Sequence, residues 1–377
     1  MKKLWIVIGI VVVVALAIVL VVTQTKKEPE EIKIGWIGPL SGDVAFYGQA
    51  IKQATDLATE EINNAGGIKG KRIRILYEDA QMDPKAGVSA LTKLIKIEKV
   101  PIVIQAAGSS VMLAEAPIAE KSKVVLISPT ASNDKIKYAG DYIFRNWPSD
   151  SYQGEIIADF VIKVLQKREA FILFINNDYG SGLKDVFGKH FTELGGTIVN
   201  SDNYDEGSTD FRTQLSKAKI SSKGIIFLAS HYREAALLLK QAKQLGIKAQ
   251  FVASDGCFAP ELIDLSQGGA EGTIVANMRW NPESKDPIVR EFVDNYRQRF
   301  NKDPEVYAAV GYDLIKLIAL SIERGGVTSD GIKNALYSIK DFHGVTGLTS
   351  FDEYGEVIKE YDMFIVEKGK FVPYHDK

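Results

Sequence analysis

Cysteine is nearly absent from this chain: Cys257 is the only one in 377 residues. A single thiol excludes a disulfide framework and any multi-thiolate metal cluster. A basic surplus is also missing, with 46 Lys and Arg against 48 Asp and Glu and a formal net charge of −2. Little is left over to neutralise phosphates, which excludes nucleic acid as partner and suits a small neutral or zwitterionic ligand. The histidines His190, His231, His343 and His375 are scattered, and none stands at metal-ligand spacing to another. Neither a phosphate-binding G-x-x-x-x-G-K-S/T loop nor G-x-G-x-x-G, H-E-x-x-H or G-x-S-x-G occurs, so no cofactor is implied and an enzyme is not expected. No long Pro- or Ser-rich linker interrupts the middle of the chain.

What the chain does have is hydroxyl-rich turns at the ends of apolar runs. Ile102–Ala107 reads as a buried strand that stops at Gly108-Ser109-Ser110. A helical stretch, Val111–Lys121, leads to a second run, Val124–Ile127, and then to Ser128-Pro129-Thr130-Ala131-Ser132-Asn133. A strand–helix–strand crossover makes the two strands parallel, so both turns open into one crevice. Each is expected to start a helix, offering free N–H groups and the positive dipole end to a carboxylate or phosphate. Alone, Ser109 or Ser132 reads as a plain N-cap. Two such turns at one crevice, with no nucleophile–base pair nearby, point to a small-anion site.

From Ile32 onward, strand-like and helix-like segments alternate in two successive cycles. Strands are expected at Ile32–Ile37, Arg72–Glu78 and Tyr142–Arg145, then at Ala170–Asn176, Thr197–Tyr204, Gly224–Ala229 and Gln250–Ser254. Helices such as Gly48–Ala65, Pro84–Lys96, Tyr152–Leu165, Gly182–Leu194 and Arg233–Leu245 lie between them. That alternation predicts an α/β protein of two doubly wound parallel-sheet lobes. The tail departs from it, with helices Pro287–Phe300, Tyr307–Arg324 and Ser329–Ser338 before hairpin-like strands near Gly347–Glu353 and Tyr361–Phe371. At the other end, Lys2 and Lys3 precede an unbroken apolar run, Leu4–Val22, with no A-x-A cleavage site after it. At helical rise the run spans about 29 Å, a bilayer core. It is expected to be an uncleaved membrane anchor, followed by a polar tether, with the folded part outside the cell membrane.

The motifs Ile37-Gly38-Pro39-Leu40-Ser41-Gly42, Tyr47-Gly48, Ile62-Asn63-Asn64-Ala65-Gly66-Gly67, Asp79-x-x-x-Asp83-Pro84, Phe144-Arg145-x-x-Pro148-Ser149-Asp150 and Asp178-Tyr179-Gly180-x-Gly182 stand in order. In that order they resemble the branched-chain amino-acid-type solute-binding proteins. The resemblance implies a type I periplasmic-binding fold, its two lobes joined by a three-stranded hinge. It also implies an amino-acid ligand, no cofactor or metal, and ABC permease subunits as membrane partners. The implied division is 1–31 as anchor and tether, 32–150 plus 280–346 as first lobe, and 151–279 plus 347–377 as second lobe. A membrane-tethered amino-acid or small-carboxylate sensor with the same fold is the alternative.

Site residues follow position by position from the resemblance. Ser109 and Ser132 match hydroxyls that hold the ligand carboxylate, and Thr130 the position whose carbonyl faces the ammonium. Asp255 matches an acidic residue set against the ammonium, and is expected to be exposed while the cleft is open. Tyr47 and Tyr179 match aromatic walls, and His231 a further lining residue. With Ser110 and Gln105 nearby, the pocket departs from a purely aliphatic one. A zwitterion needs donors at one end and an acceptor at the other, which this set provides.

Overall fold

The computed structural model describes residues 31–218 and 224–375. Its first sheet has the order β2-β1-β3-β4-β5 and is parallel throughout. The strands are β1 Glu31–Gly38, β2 Arg72–Asp79, β3 Ile102–Gln105, β4 Val125–Ser128 and β5 Ile143–Arg145. Every residue of β3 and β4 is buried, which is why they read as nearly continuous apolar runs and not as alternation.

The second sheet has the order β14-β13-β10-β9-β8-β6-β7. It comprises β6 Glu169–Ile175, β7 Thr197–Tyr204, β8 Gly224–Ala229, β9 Gln250–Ala253, β10 Ile274–Met278, β13 Tyr361–Glu367 and β14 Lys370–Pro373. Pairing is parallel from β7 across to β10, whereas β13 and β14 are antiparallel. A separate hairpin pairs β11 Phe342–Gly344 with β12 Gly347–Thr349.

Each sheet has a strand flanked by its two successors: β1 between β2 and β3, and β6 between β7 and β8. Connections run opposite ways from such a strand, which opens a crevice at the strands' C-terminal ends. The helices after β10 pack back on the first sheet's side. Helix Val306–Gly325 lies on helix Ala45–Asn64, with Tyr312 donating to Glu61 at 2.5 Å, and Tyr296 of helix Pro287–Phe300 donates to Gln53 at 2.8 Å. β13 and β14 then join the second sheet, so the chain passes between the sheets near 146–149, 279–286 and 345–360.

Several elements differ from the sequence expectations. The second hydroxyl-rich turn starts no α-helix; Asn133 caps a short 3₁₀ turn, Asp134–Tyr138, by accepting from the Lys135 N–H. The helices expected to reach Lys96 and Leu165 end in π-helical turns, Leu94–Glu98 and Phe160–Val164. Helix Pro260–Ser266 and strand β10 are additional. The Leu4–Val22 run lies outside the described residues. Among the described residues, no helix is long and apolar enough to cross a membrane.

Candidate functional site

Loops from both crevices converge on one small cavity of about 50 Å³. That exceeds the roughly 10–15 Å³ a cavity needs to hold a single water and suits a small-molecule occupant. The first-lobe wall begins where β3 ends. Gly108 takes a left-handed φ of +78° and opens helix Gly108–Ser122, whose first amides have no partner within the helix. Ser109 is no N-cap. Its Oγ accepts from the Ser132 and Asn133 N–H groups at 3.2 and 3.1 Å, tying the two turns together. With both lone pairs used, the hydroxyl has its proton left to donate. Ser128 Oγ accepts from the Thr130 and Ala131 amides and donates to Gln105 O. Arg145 donates to the Ser132 and Asn133 carbonyls at 2.6 and 3.0 Å. The wall is rigid and presents amides and hydroxyls.

The second-lobe wall centres on Asp255, just past β9. Its Oδ1 accepts from Tyr179 OH at 2.7 Å and the Gly256 N–H at 2.8 Å. Its Oδ2 accepts from Trp147 Nε1 at 2.8 Å and Tyr361 OH at 2.9 Å. With the two walls in contact, Asp255 is only 3% exposed. Four neutral donors, and no protein cation among the described residues, meet its charge. Burial, reinforced by the Asp255 charge, holds the Tyr179, Tyr307 and Tyr361 hydroxyls well above the ordinary phenol range. These groups therefore act as donors and not as phenolates.

The two walls touch around the cavity, so the arrangement is closed. Tyr47 OH donates to Gly256 O and Tyr232 OH to Asp43 O at 3.0 Å. The Asp178 N–H donates to Ser110 Oγ at 3.1 Å, while Asn133 Nδ2 donates to Asp178 O at 2.6 Å. Gly182 makes this seam possible, because a Cβ there would lie 2.4 Å from Asn133 Nδ2. Near the hinge, Trp147 stacks on Tyr307 at 5.6 Å, and Tyr307 OH reaches Asp255 O at 2.9 Å.

Tyr47, Ser109, Ser110, Thr130, Tyr179, His231 and Asp255 all line this cavity. His231 stacks on Tyr179 at 5.3 Å, and the adjacent Tyr232 packs against Tyr47 at 5.1 Å. Ser132 is buried beside the cavity but is not among its lining residues. Met82, Trp147, Asn177, Glu206 and Tyr307 line it as well and were not anticipated. Trp147 had one legible signal, its place before Pro148 in the first crossover. Among the described residues no cluster of His, Cys, Asp and Glu is arranged to hold a metal ion.

The profile of the periplasmic binding protein family matches residues 31–370. The Leu/Ile/Val-binding protein homolog 3 of Brucella melitensis is 27% identical over 346 residues, covering 91% of this chain and 93% of the relative. The leucine-binding protein LivK of Thermotoga maritima superposes with a TM-score of 0.85 at 29% identity, covering 91% of this chain and 98% of its own. LivJ of Streptococcus pneumoniae, described as a branched-chain amino acid transporter substrate-binding protein in complex with isoleucine, gives a TM-score of 0.84 at 32% identity, covering 92% and 100%.

Proposed function

Because the chain belongs to the periplasmic binding protein family, we propose that it is the substrate-binding component of an ABC importer and closes on a branched-chain or similar α-amino acid. The observation that carries this reading is the pairing of unlike walls across one small cavity. On one side are helix-start amides and the Ser109 hydroxyl with its proton to give. On the other is a buried carboxylate, Asp255, supported by neutral groups only. Donors facing an uncompensated negative charge complement a zwitterion better than a simple anion, which Asp255 would repel. The relatives support the same ligand class, and they are described as binding and transport proteins, which favours transport over sensing.

In this reading Ser109, Ser110, Thr130 and Tyr47 receive the ligand on the first lobe (32–150 plus 280–346), and Ser132 stands behind them, its N–H donating to Ser109 Oγ. Tyr179, His231 and Asp255 close over it from the second (151–279 plus 347–377). Residues 1–31 tether the domain on the extracytoplasmic side. Full-length protein should then stay with membranes through carbonate washing, and a mature N-terminus near Thr23 would replace the tether by a cleaved signal.

The ligand class is tested by calorimetry with L-leucine, L-leucinamide and 4-methylpentanoate. Removing either end of the zwitterion leaves a buried group unpaired, so both analogues should bind far more weakly than leucine. Equal binding of leucine and 4-methylpentanoate would sink the amino-acid reading.

A further inference from the structure

We infer that Met82 is the adjustable wall of the cavity and sets which amino-acid side chains are accepted. The inference rests on the amino-acid reading above and concerns the part of the ligand that the charged groups do not hold.

The other large walls are fixed. Tyr47, Trp147, Tyr179 and Tyr307 are each anchored by a hydrogen bond from the ring's polar end. The remaining lining positions are small or polar, and Met82 is the one long aliphatic side chain among them. An unbranched thioether rotates about three bonds and fills gaps of different shape, whereas a tethered ring cannot.

The backbone that carries Met82 is held firmly, while its unbranched side chain is half-buried at the edge of the core. Gln81 and Met82 both adopt left-handed conformations, with φ of +48° and +60°, which non-glycine residues rarely take in succession. The turn is braced at both ends. Asp79 Oδ1 accepts from the Leu40 and Gln81 N–H groups at 2.9 and 3.1 Å, and Gln81 Nε2 donates to Ser41 Oγ at 2.7 Å. Beyond it, Asp83 caps helix Pro84–Lys93 through the Ala86 N–H at 2.7 Å. The spaced pair Asp79 and Asp83 thus frames a strained turn that directs one side chain to the cleft. The Met82 Cε comes to rest where a Cβ on Gly108 would be only 3.3 Å away, so the methyl end lies on the bare backbone of the turn after β3.

The test is titration calorimetry of the full-length protein and of Met82→Ala and Met82→Phe, using L-alanine, L-valine, L-leucine and L-phenylalanine. Met82→Ala enlarges the cavity and should shift the leucine-to-alanine affinity ratio toward the larger ligand by about tenfold, the scale of a methylene or two in an apolar pocket. Met82→Phe should shift the ratio the other way and abolish phenylalanine binding. Thermal melting without ligand confirms that both variants fold. An equal change for every ligand, or none, overturns the inference while leaving the ligand class standing. Failure of the unmodified protein to bind any of the four overturns both together.

Discussion

Two of the buried carboxyl groups, one in each half of this molecule, sit under opposite conditions. Asp255, in the second lobe, receives four hydrogen bonds and faces the cavity. Glu115, in the first, is fully buried in helix Gly108–Ser122, and neither of its oxygens has a partner. Burial alone pushes the Glu115 carboxyl up to about 8, so at neutral pH it is mainly neutral. A buried carboxylate remains an acceptor only where donors are built around it. The contrast separates a side chain tolerated in a core from one equipped to meet a cation.

Removing Asp255 breaks the comparison most severely. Asp255→Ala should cost roughly 2–5 kcal/mol in amino-acid binding by stranding the ammonium. It also strands the Tyr179, Tyr361 and Trp147 donors, so the unliganded melting temperature should fall as well, by the equivalent of roughly 1–3 kcal/mol. Calorimetry and thermal melting read the two effects separately. Unchanged binding would place the ammonium's partner elsewhere.

The seam between the halves is the next place to press. Gly182→Leu would drive a side chain into Asn133 in the closed form, with the added Cβ also 3.3 Å from the buried Asp150 carboxylate. Binding should weaken by roughly 1–3 kcal/mol, the cost of overpacking, and scattering should show less compaction on adding leucine. Full compaction with parental affinity would mean that the closed form does not use this contact.

Glu115 sharpens the comparison from the first-lobe side. Its folded value lies above the ordinary 4.5, so the folded state holds a proton that the unfolded chain releases. Stability from this group is present below about pH 4.5 and declines as pH rises toward about 8. Glu115→Gln should therefore flatten the fall in melting temperature between pH 5 and 8, leaving a smaller effect at pH 5. Parallel pH profiles for the two proteins would show that Glu115 is ionised in the fold.

The elements that build the crevice were legible because their signals are local. The runs ending at Gly108 and Ser128 are short, apolar and turn-bounded, and Asp83 and Ser149 announce helix starts by capping them. What stayed hidden depends on distance along the chain. Trp147 and Tyr361 meet Asp255 from more than a hundred residues away, and no periodicity encodes such a meeting. Ser109 looked like a cap because its type suits one, yet tertiary contact with Ser132 and Asn133 took its lone pairs. Strand β10 follows a glycine-rich stretch that reads as loop, and its pairing with β13 becomes apparent only in the assembled sheet.

The stacked indole at the hinge has an optical consequence. Among the described tryptophans, Trp36 is in the core and Trp280 donates to Pro304 O, while Trp147 alone lines the cleft and donates to the carboxylate that awaits the ligand. Indole emission responds to nearby charge, so neutralising Asp255 with an ammonium should change the fluorescence of Trp147 alone among these three. The protein carries its own label for occupancy, and the kinetics of filling and emptying the cleft can be followed without attaching a dye.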